Sequence, residues 1–454
     1  MGVCEPIFAC RSGVRAINTT LQSLRKSTQR ERLLSGVITV ANRDGCARAN
    51  VSAVIAEAGV SRPTFYEYFT DKGDCFLAAL ADIHERLLDE VRQAVESDPP
   101  QQAIEAAIAA LVEFASTQPA MARFLMSESM AAGPGALDAR DEGIREIEQM
   151  IEEAYREVPP GTAVADVCPS MVIGGVYRML ASRLRRGEPR LSALLDDLLS
   201  WVKRYERPAG EHRWRSLRST QAPATSSFLP ETPMRAPPAL APGRPRLSEE
   251  QVAANHRQRI LFAAAQVAEK KGYTATTISE ITKLAGVDGR AFYALFADKQ
   301  EAFMTVHELG FQELMAVTAG AFFAGSSWPE RSWEAGRAFT QFLEQNPTVA
   351  HVGFVEAYAV GPGAIQRVED SHVAFTIFLQ EGYQHAPRND PPSRLALEAI
   401  VTTIFEIVYH QARASARPQM AWLLAQMTFL CLTPFTGPTE ANEFIDRQLS
   451  AKAS

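Results

Sequence analysis

Apolar residues in this chain recur at three- and four-residue spacings, as in Ile104, Ile108, Leu111 and Val112, and again in Phe339, Phe342 and Leu343. That period marks helices that bury one face. Alternating β-branched runs closed by hairpin turns do not occur. Prolines stand where helices should begin or stop: Pro119, Pro159, Pro169 and Pro189, then Pro329, Pro347, Pro391 and Pro418. The pattern predicts an all-α chain. Between 207 and 246 the periodicity lapses. Pro208, Pro223, Pro230, Pro233, Pro237, Pro238, Pro242 and Pro245 crowd that stretch, with Thr225, Ser226 and Ser227 among them. It reads as a partly extended, mobile linker.

The local signals are sharpest after the linker. A helix from about Glu249 to Lys271 should end at Gly272. Thr277 caps a short helix, Ile278 to Ala285, and Glu280 completes a capping box. Gly286 turns the chain into a second short helix around Gly289 to Phe296. Ile278, Ile281, Val287, Phe292 and Phe296 are spaced to pack on the long helix. Three helices with a glycine turn between the second and third make a helix-turn-helix. The same plan occurs earlier. A helix from about Ser27 to Asp44 precedes Asn50 in the capping slot, Val51 to Ala58, Gly59 and a third helix, Arg62 to Phe69. Gly59 stands where the turn needs a positive φ.

Residues 30–76 placed over 257–303 without a gap give 16 identities in 47 positions, where chance gives about three. Past this block the match continues with a shift of one residue. Gly133-Pro134-Gly135-Ala136 recurs as Gly361-Pro362-Gly363-Ala364, and Phe114, Pro119, Ala122, Glu128 and Tyr155 as Phe342, Pro347, Ala350, Glu356 and Tyr383. The repeated unit is roughly 180–200 residues, too long for a stacked array. The expected organisation is an N-terminal arm (1–26), a helix-turn-helix domain (27–76), a helical domain (77–206), the linker (207–246), a second helix-turn-helix domain (247–303) and a second helical domain (304–454).

Composition narrows the function. A chain of 454 residues exceeds one ordinary core. No apolar run reaches the length of about 18 residues that a membrane helix needs. The N-terminus has Arg11 and Arg15 but no apolar stretch behind them, so no secretion signal is expected. Six cysteines make no disulfide framework, and Cys4 and Cys10 lack flanking histidines, so reduced thiols and a cytoplasmic, nucleoid-associated protein are expected. The net charge is −7, but residues 1–76 carry +3 and residues 244–303 carry +2, leaving −12 elsewhere. Two mildly basic segments on an acidic body suit local contact with DNA. No P-loop, nucleophile elbow, zinc-protease or dinucleotide motif appears, so no catalytic residue, metal or cofactor is expected.

Gly59-Val60-Ser61-Arg62-Pro63-Thr64-Phe65-Tyr66-Glu67-Tyr68-Phe69-Thr70-Asp71-Lys72 resembles the signature of TetR-type bacterial regulators, and Gly286 to Lys299 is similar with departures. The resemblance covers 47 residues in each copy. It implies two tandem units, each a three-helix DNA-binding domain plus a helical ligand-binding and dimerisation domain. It also implies a third helix in the major groove of double-stranded DNA. Thr64, Tyr66 and Tyr68 match exposed recognition positions, and Arg62 beside them suits a guanine edge or a phosphate. Lys72 and Lys299 match the lysine that meets phosphate at a helix N-terminus. Asn50, Thr277, Arg290 and Tyr293 complete the expected DNA-facing set, and Arg30, Arg32, Arg257 and Arg259 lie where helix one nears the backbone. Phe65, Phe69, Phe292 and Phe296 belong to the core, and Tyr66 and Tyr293 suit either surface or core. In copy two Thr64 becomes Ala291, Tyr68 becomes Leu295 and Ser61 becomes Asp288. Copy two therefore reads a different half-site or has lost part of its grip. Ahead of it, Arg244 and Arg246 in Gly243-Arg244-Pro245-Arg246 fit a narrow minor groove, or simply a solvated linker end.

Met171–Arg186 and Leu191–Tyr205, like Leu395–Ala412 and Met420–Leu432, are apolar on one face. In the resembling family such helices from two subunits form a four-helix bundle. Here the two copies are expected to form it with each other, an intramolecular pseudo-dimer. A flexible linker of this length spans about 35 Å. A homodimer of tandem chains is the other arrangement. Aromatic residues concentrate in copy two, as a pocket for a small apolar or aromatic effector or as a larger core. Phe354, Tyr358, Phe378, Tyr409 and His351 are the candidate contacts, with Glu356 and His410 beside them. Taken together, the expectation is a ligand-responsive repressor on an asymmetric operator. The alternative is a ligand-binding or scaffold protein whose helix-turn-helix units no longer bind DNA.

Overall fold

The computed structural model of the protein describes residues 11–208, 225–230, 234–240, 247–414 and 423–450, with the backbone alone for 11–27 and 208. Helix α1 (Arg11–Asp44) starts well before Ser27 and stops at Gly45, which takes φ 83°. Asn50 accepts from the Ala53 N–H (3.0 Å) to cap α2 (Val51–Ala58), and Gly59 closes it in the left-handed conformation at φ 60°. Ser61 caps α3 (Arg62–Tyr68), and Asp71 caps the long α4 (Lys72–Ser97). Helices α5 (Ala103–Thr117), α6 (Pro119–Met126), α7 (Pro134–Arg156), α8 (Pro169–Arg185) and α9 (Leu195–Lys203) complete the first half, with prolines opening three of them. The expected helix at Leu191 begins as a 3-10 turn, Leu191–Leu194.

The second half repeats the order. Helix α10 (Glu249–Lys271) opens on a Ser248/Gln251 capping box, and α11 (Ile278–Ala285) opens on the expected Thr277/Glu280 box. Gly286 turns the chain at φ 63° into α12 (Gly289–Leu295). Asp288, the residue that departs from the serine of copy one, accepts from the Ala291 N–H (2.7 Å) and caps α12. Then follow α13 (Lys299–Ala324), α14 (Trp328–Gln345), α15 (Pro347–His351), a π-helical turn (Val352–Glu356), α16 (Ala357–Val360), α17 (Pro362–Phe375), α18 (Ile377–Gln380), α19 (Leu395–Ala414), α20 (Leu424–Thr436) and α21 (Pro438–Ser450). Met420 and Trp422 lie outside the described residues, as do Cys4 and Cys10. Among the described residues, two short strands depart from the helical pattern: Ala163–Ala165 pairs antiparallel with Glu206–Pro208 and ties the start of α8 to the end of α9. Among the described residues, no helix is long and apolar enough to cross a membrane.

One hydrophobic core runs from Leu33 of the first half to Ile445 of the second, while the second three-helix unit keeps a core of its own around Phe292 and Phe303. The described part of the linker is held against the second half. Ser226 N–H donates to Gln341 Oε1 (2.8 Å), Met234 N–H to Asn346 Oδ1 (2.8 Å), and Asn255 to the Pro238 carbonyl (3.2 Å). Buried amides on α14 and at its end thus anchor backbone that proline spacing alone leaves unplaced.

The halves meet mainly where α8 lies along α19. Gly174 and Gly175 permit the approach: a Cβ on either would run into Glu406 or Thr403. Beyond α9, Tyr205 donates to the Leu430 carbonyl of α20 (2.9 Å). Gly175→Val should therefore lower the unfolding free energy by about 1–3 kcal/mol through overpacking. Gly363→Ala, at a site with open space around it, should change it by less than about 1 kcal/mol. Urea unfolding of the two variants measures both.

Candidate nucleic-acid interface

Helix α3 divides its residues between two faces. Phe65 and Phe69 are buried, their rings 5.8 Å apart, and Phe65 meets Tyr66 edge-on at 5.3 Å. Tyr66 turns outward and is 50% exposed. The Arg62 guanidinium lies 5.9 Å from the Tyr66 ring centroid, so a cation and a phenol share one solvent face. Thr64 is half-buried, with its hydroxyl 2.8 Å from Ser61 Oγ. Tyr68 is half-buried against the core and so less available than the sequence suggests. Asn50 is exposed and caps α2. In α12 the division is the same. Phe292 and Phe296 are buried, Tyr293 is 62% exposed, Arg290 is exposed, and Leu295 is half-buried. Thr277 is exposed at its cap. Arg244 and Arg246 lie outside the described residues.

Several basic residues brace the unit from within. Arg32 donates to the Gly59 carbonyl (2.9 Å), and Arg259 to the Ala285 carbonyl (2.7 Å), at the end of the second helix in each copy. Arg30 and Arg257 sit over Phe69 and Phe296, at 6.0 and 5.7 Å. The two lysines differ. Lys72 donates to the Cys46 carbonyl at 3.1 Å. Lys299 donates to the carbonyls of Tyr273 (3.0 Å), Thr274 (3.3 Å) and Thr276 (2.9 Å) and lies over the Tyr273 ring. An ammonium has three donors, and Lys299 directs all three at backbone carbonyls. Burial also lowers its pKa.

Each DNA-facing unit is tied to its helical domain by a carboxylate at the same place in the repeat. Glu128 Oε2 accepts from the Cys46 N–H (3.0 Å), and Glu356 Oε2 from the Tyr273 N–H (2.6 Å). Burial raises the Glu128 pKa, and the Cys46 N–H partly opposes this. Glu356 also meets His351 Nε2 (3.2 Å), whose Nδ1 lies 3.3 Å from the Ala412 carbonyl of α19. Burial opposes charge on His351, yet the bonds to Glu356 and Ala412 outweigh it and raise its pKa.

The five candidate effector contacts fall in different places. Phe378 joins Phe339, Phe375, Val401, Phe405 and Met427 around an apolar cavity of about 70 Å³. Phe354 lines a smaller neighbour of about 30 Å³, with Phe405 walling both. Tyr358 instead accepts from Arg178 Nη1 of the first half (2.7 Å). Tyr409 donates to Asp141 of the first half (3.1 Å) and accepts from Arg413 (3.0 Å). His351 serves the strut just described. What sequence reasoning missed is the buried charge around Arg140, Arg178 and Glu406. Its one visible signal is a glutamate flanked by Ile404, Phe405, Ile407 and Val408.

Residues 33–79 and 260–303 each match the family described as bacterial regulatory proteins, tetR family. Two HTH-type transcriptional regulators of Mycobacterium tuberculosis, from strains CDC 1551 and H37Rv, are each 28% identical over 183 residues, covering 39% of this chain and 77% of theirs. Among solved structures, a tetR-family regulatory protein from Rhodococcus RHA1 is 21% identical with a TM-score of 0.33, covering 39% of this chain and 96% of its own. The fatty acid degradation regulator FadR from Bacillus halodurans is 16% identical with a TM-score of 0.33, covering 38% and 96%.

The division into surface and brace has a stability consequence. Arg62→Ala and Tyr66→Ala should each leave the unfolding free energy within about 0.5 kcal/mol. Arg32→Ala strips the Gly59 carbonyl of its partner and should cost about 1 kcal/mol. Thermal or urea unfolding separates the two groups.

Proposed function

The chain is a tandem TetR-family regulator that binds DNA, and on that premise we propose that it is a ligand-responsive repressor whose two unlike halves pair within one chain on an asymmetric operator. The observation that carries the DNA-facing part is the exposed Arg62–Tyr66 face of α3, set beside the half-buried Lys72 at the start of α4. A short helix with a cationic, aromatic face and a capped N-terminus suits base edges and the adjoining phosphates. Arg290 and Tyr293 offer a smaller face on α12. Lys299 has its donors turned inward, which favours copy one as the stronger reader and an operator of two unlike half-sites. Paired units place such half-sites about one helical turn apart. The packing of α8 on α19 supports pairing within the chain. The protein acts in the cytoplasm, at the nucleoid.

The effector is a small apolar or aromatic molecule taken by the cavity of the second half. At about 70 Å³ the cavity is smaller than the roughly 150 Å³ site that admits benzene. Entry must therefore push the aromatic walls apart. Three of those walls, Val401, Ile404 and Phe405, belong to α19. The same helix holds the Ala412 carbonyl that meets His351, and His351 meets the Glu356 strut to Tyr273. A shift of α19 thus reaches both the second DNA-facing unit and the seam with the first half.

A gel shift at low salt, using DNA upstream of the protein's own gene, tests the first part. Wild type should shift it, and Tyr66→Ala should shift it more weakly; no shift by either refutes the repressor reading. Loss of one phosphate contact in Lys72→Ala should reduce the salt slope by about one. Light scattering should return one chain, 49.8 kDa; a stable mass of twice that value rejects pairing within the chain. Aromatic compounds that raise the thermal midpoint of wild type should lose that effect in Phe378→Trp, where the indole fills the cavity.

A further inference from the structure

The two halves meet through residues that the repeat places in register. Arg185 of the first half bonds Glu369 of the second (2.6 Å), and Arg413 of the second bonds Asp141 of the first (3.1 Å). Arg185 and Arg413 are counterparts in the repeat, as are Asp141 and Glu369. The same contact is thus made twice, once in each direction, as at an isologous interface. At the axis of such an interface each residue faces its own counterpart. Gly175 abuts its counterpart Thr403, and Arg178 bonds its counterpart Glu406, 228 residues on.

At that central position the halves carry opposite charge. Arg140 Nη2 also reaches Glu406 Oε1 (2.8 Å), and the counterpart of Arg140 is Val368. The three residues Arg140, Arg178 and Glu406 are 1%, 7% and 0% exposed. Around them stand Asp141 (3.1 Å from Arg140), His410 (3.2 Å from Glu406), and Tyr358 and Tyr409, with the Tyr409 ring about 5 Å from both guanidinium groups. Burial alone would raise the Glu406 pKa, but Arg140 and Arg178 hold it well below the usual carboxylate range.

We infer that Arg140, Arg178 and Glu406 form a partner-selecting lock, through which a first half accepts only a second half and neither half pairs with its own kind. The inference deepens the proposed pairing of halves and rests on it. The two reciprocal flanking pairs do not discriminate: Arg185 would find Asp141 in another first half, and Arg413 would find Glu369 in another second half. The part-buried Arg183–Glu398 pair (2.7 Å) does, since its counterparts are Gln411 and Ser170, but Glu398 is one-third exposed and loses little when unpaired. The buried centre carries most of the discrimination. Two first halves would bury two copies each of Arg140 and Arg178 with no Glu406 between them. Two second halves would bury two Glu406 carboxylates with no arginine. An uncompensated buried charge is among the costliest defects an interface can hold, and charge placed against the wrong partner is how interfaces acquire specificity.

The test uses full-length chains carrying two different tags. E406R puts three arginines at the centre, and its thermal midpoint should fall by about 5–10 °C. In R140V/R178E/E406R the pair is reversed within one chain, and more than half of that loss should return. E406R and R140V/R178E are each mismatched alone but fully complementary to each other, so the two, co-expressed, should co-purify at least tenfold above two wild-type tags. Two E406R chains should not co-purify. No recovery in the reversed chain, no co-purification of the complementary pair, or equal co-purification of two E406R chains would each overturn the lock. If wild type alone weighs two chains by light scattering, pairing within the chain fails. The lock still stands or falls on whether E406R prefers R140V/R178E over itself.

Discussion

Glu406 is a carboxylate on the buried side of a mostly apolar helix, and it lies where the two halves of the chain touch. Such a group is tolerable only with cations against it, and both cations come from the other half. The arrangement therefore ties the ionisation of one side chain to the seating of α8 on α19. Gly174 and Gly175 follow from the same constraint, because the carboxylate and Thr403 need the space that their missing side chains leave. The seam is built on close backbone approach and one charge cluster, with the apolar core continuous on either side of it.

The DNA-facing units show how one scaffold is kept while its surface drifts. Phe65 with Phe69, and Phe292 with Phe296, hold the third helix on the first in the same way. Arginine to the end of the second helix and lysine to the turn after the first helix recur in both copies. Arg32, Arg259 and Lys299 look like nucleic-acid contacts from their type and position, yet they bond to backbone carbonyls; Lys72 makes one such bond and keeps donors for phosphate. A carbonyl at the end of a short helix has no partner of its own, and a long basic side chain supplies one. The serine-to-aspartate change at the head of the third helix likewise keeps a cap. It also brings a negative charge toward the face that would meet phosphate.

Cavity, seam and strut converge on α19. Phe405 walls the cavity and Glu406, next to it, closes the seam, because adjacent helical residues point in directions about 100° apart. Ala412, at the end of the same helix, meets the His351–Glu356 pair that holds Tyr273. The π-helical turn at Val352–Glu356 sets the two members of that pair. Such turns are uncommon and concentrate at functional sites. A helix with three such duties cannot move for one without disturbing the others.

Short-range physics was legible in the amino-acid sequence. The caps at Asn50 and Thr277, the turns at Gly59 and Gly286, and the inward phenylalanines follow from residue type and spacing within a few positions. So do the helical period and the duplication. The sequence also sufficed for the outward Arg62 and for the inventory of aromatic residues in the second half, but it left Tyr66 and Tyr293 open between surface and core. Of the five effector contacts it named, Phe354 and Phe378 line cavities, while Tyr358 and Tyr409 bond across the seam and His351 bonds Glu356. Nor did it reveal that Lys299 is turned inward, that Ser226, Met234 and Pro238 of the linker bond to the second half, or that Arg140, Arg178 and Glu406 meet. Those outcomes depend on contacts between groups well apart in the chain, up to 268 residues for Tyr409 and Asp141. A buried charge carries no local mark of its partner. Its place is decided by which surfaces the folded halves press together and by the cost of leaving it alone.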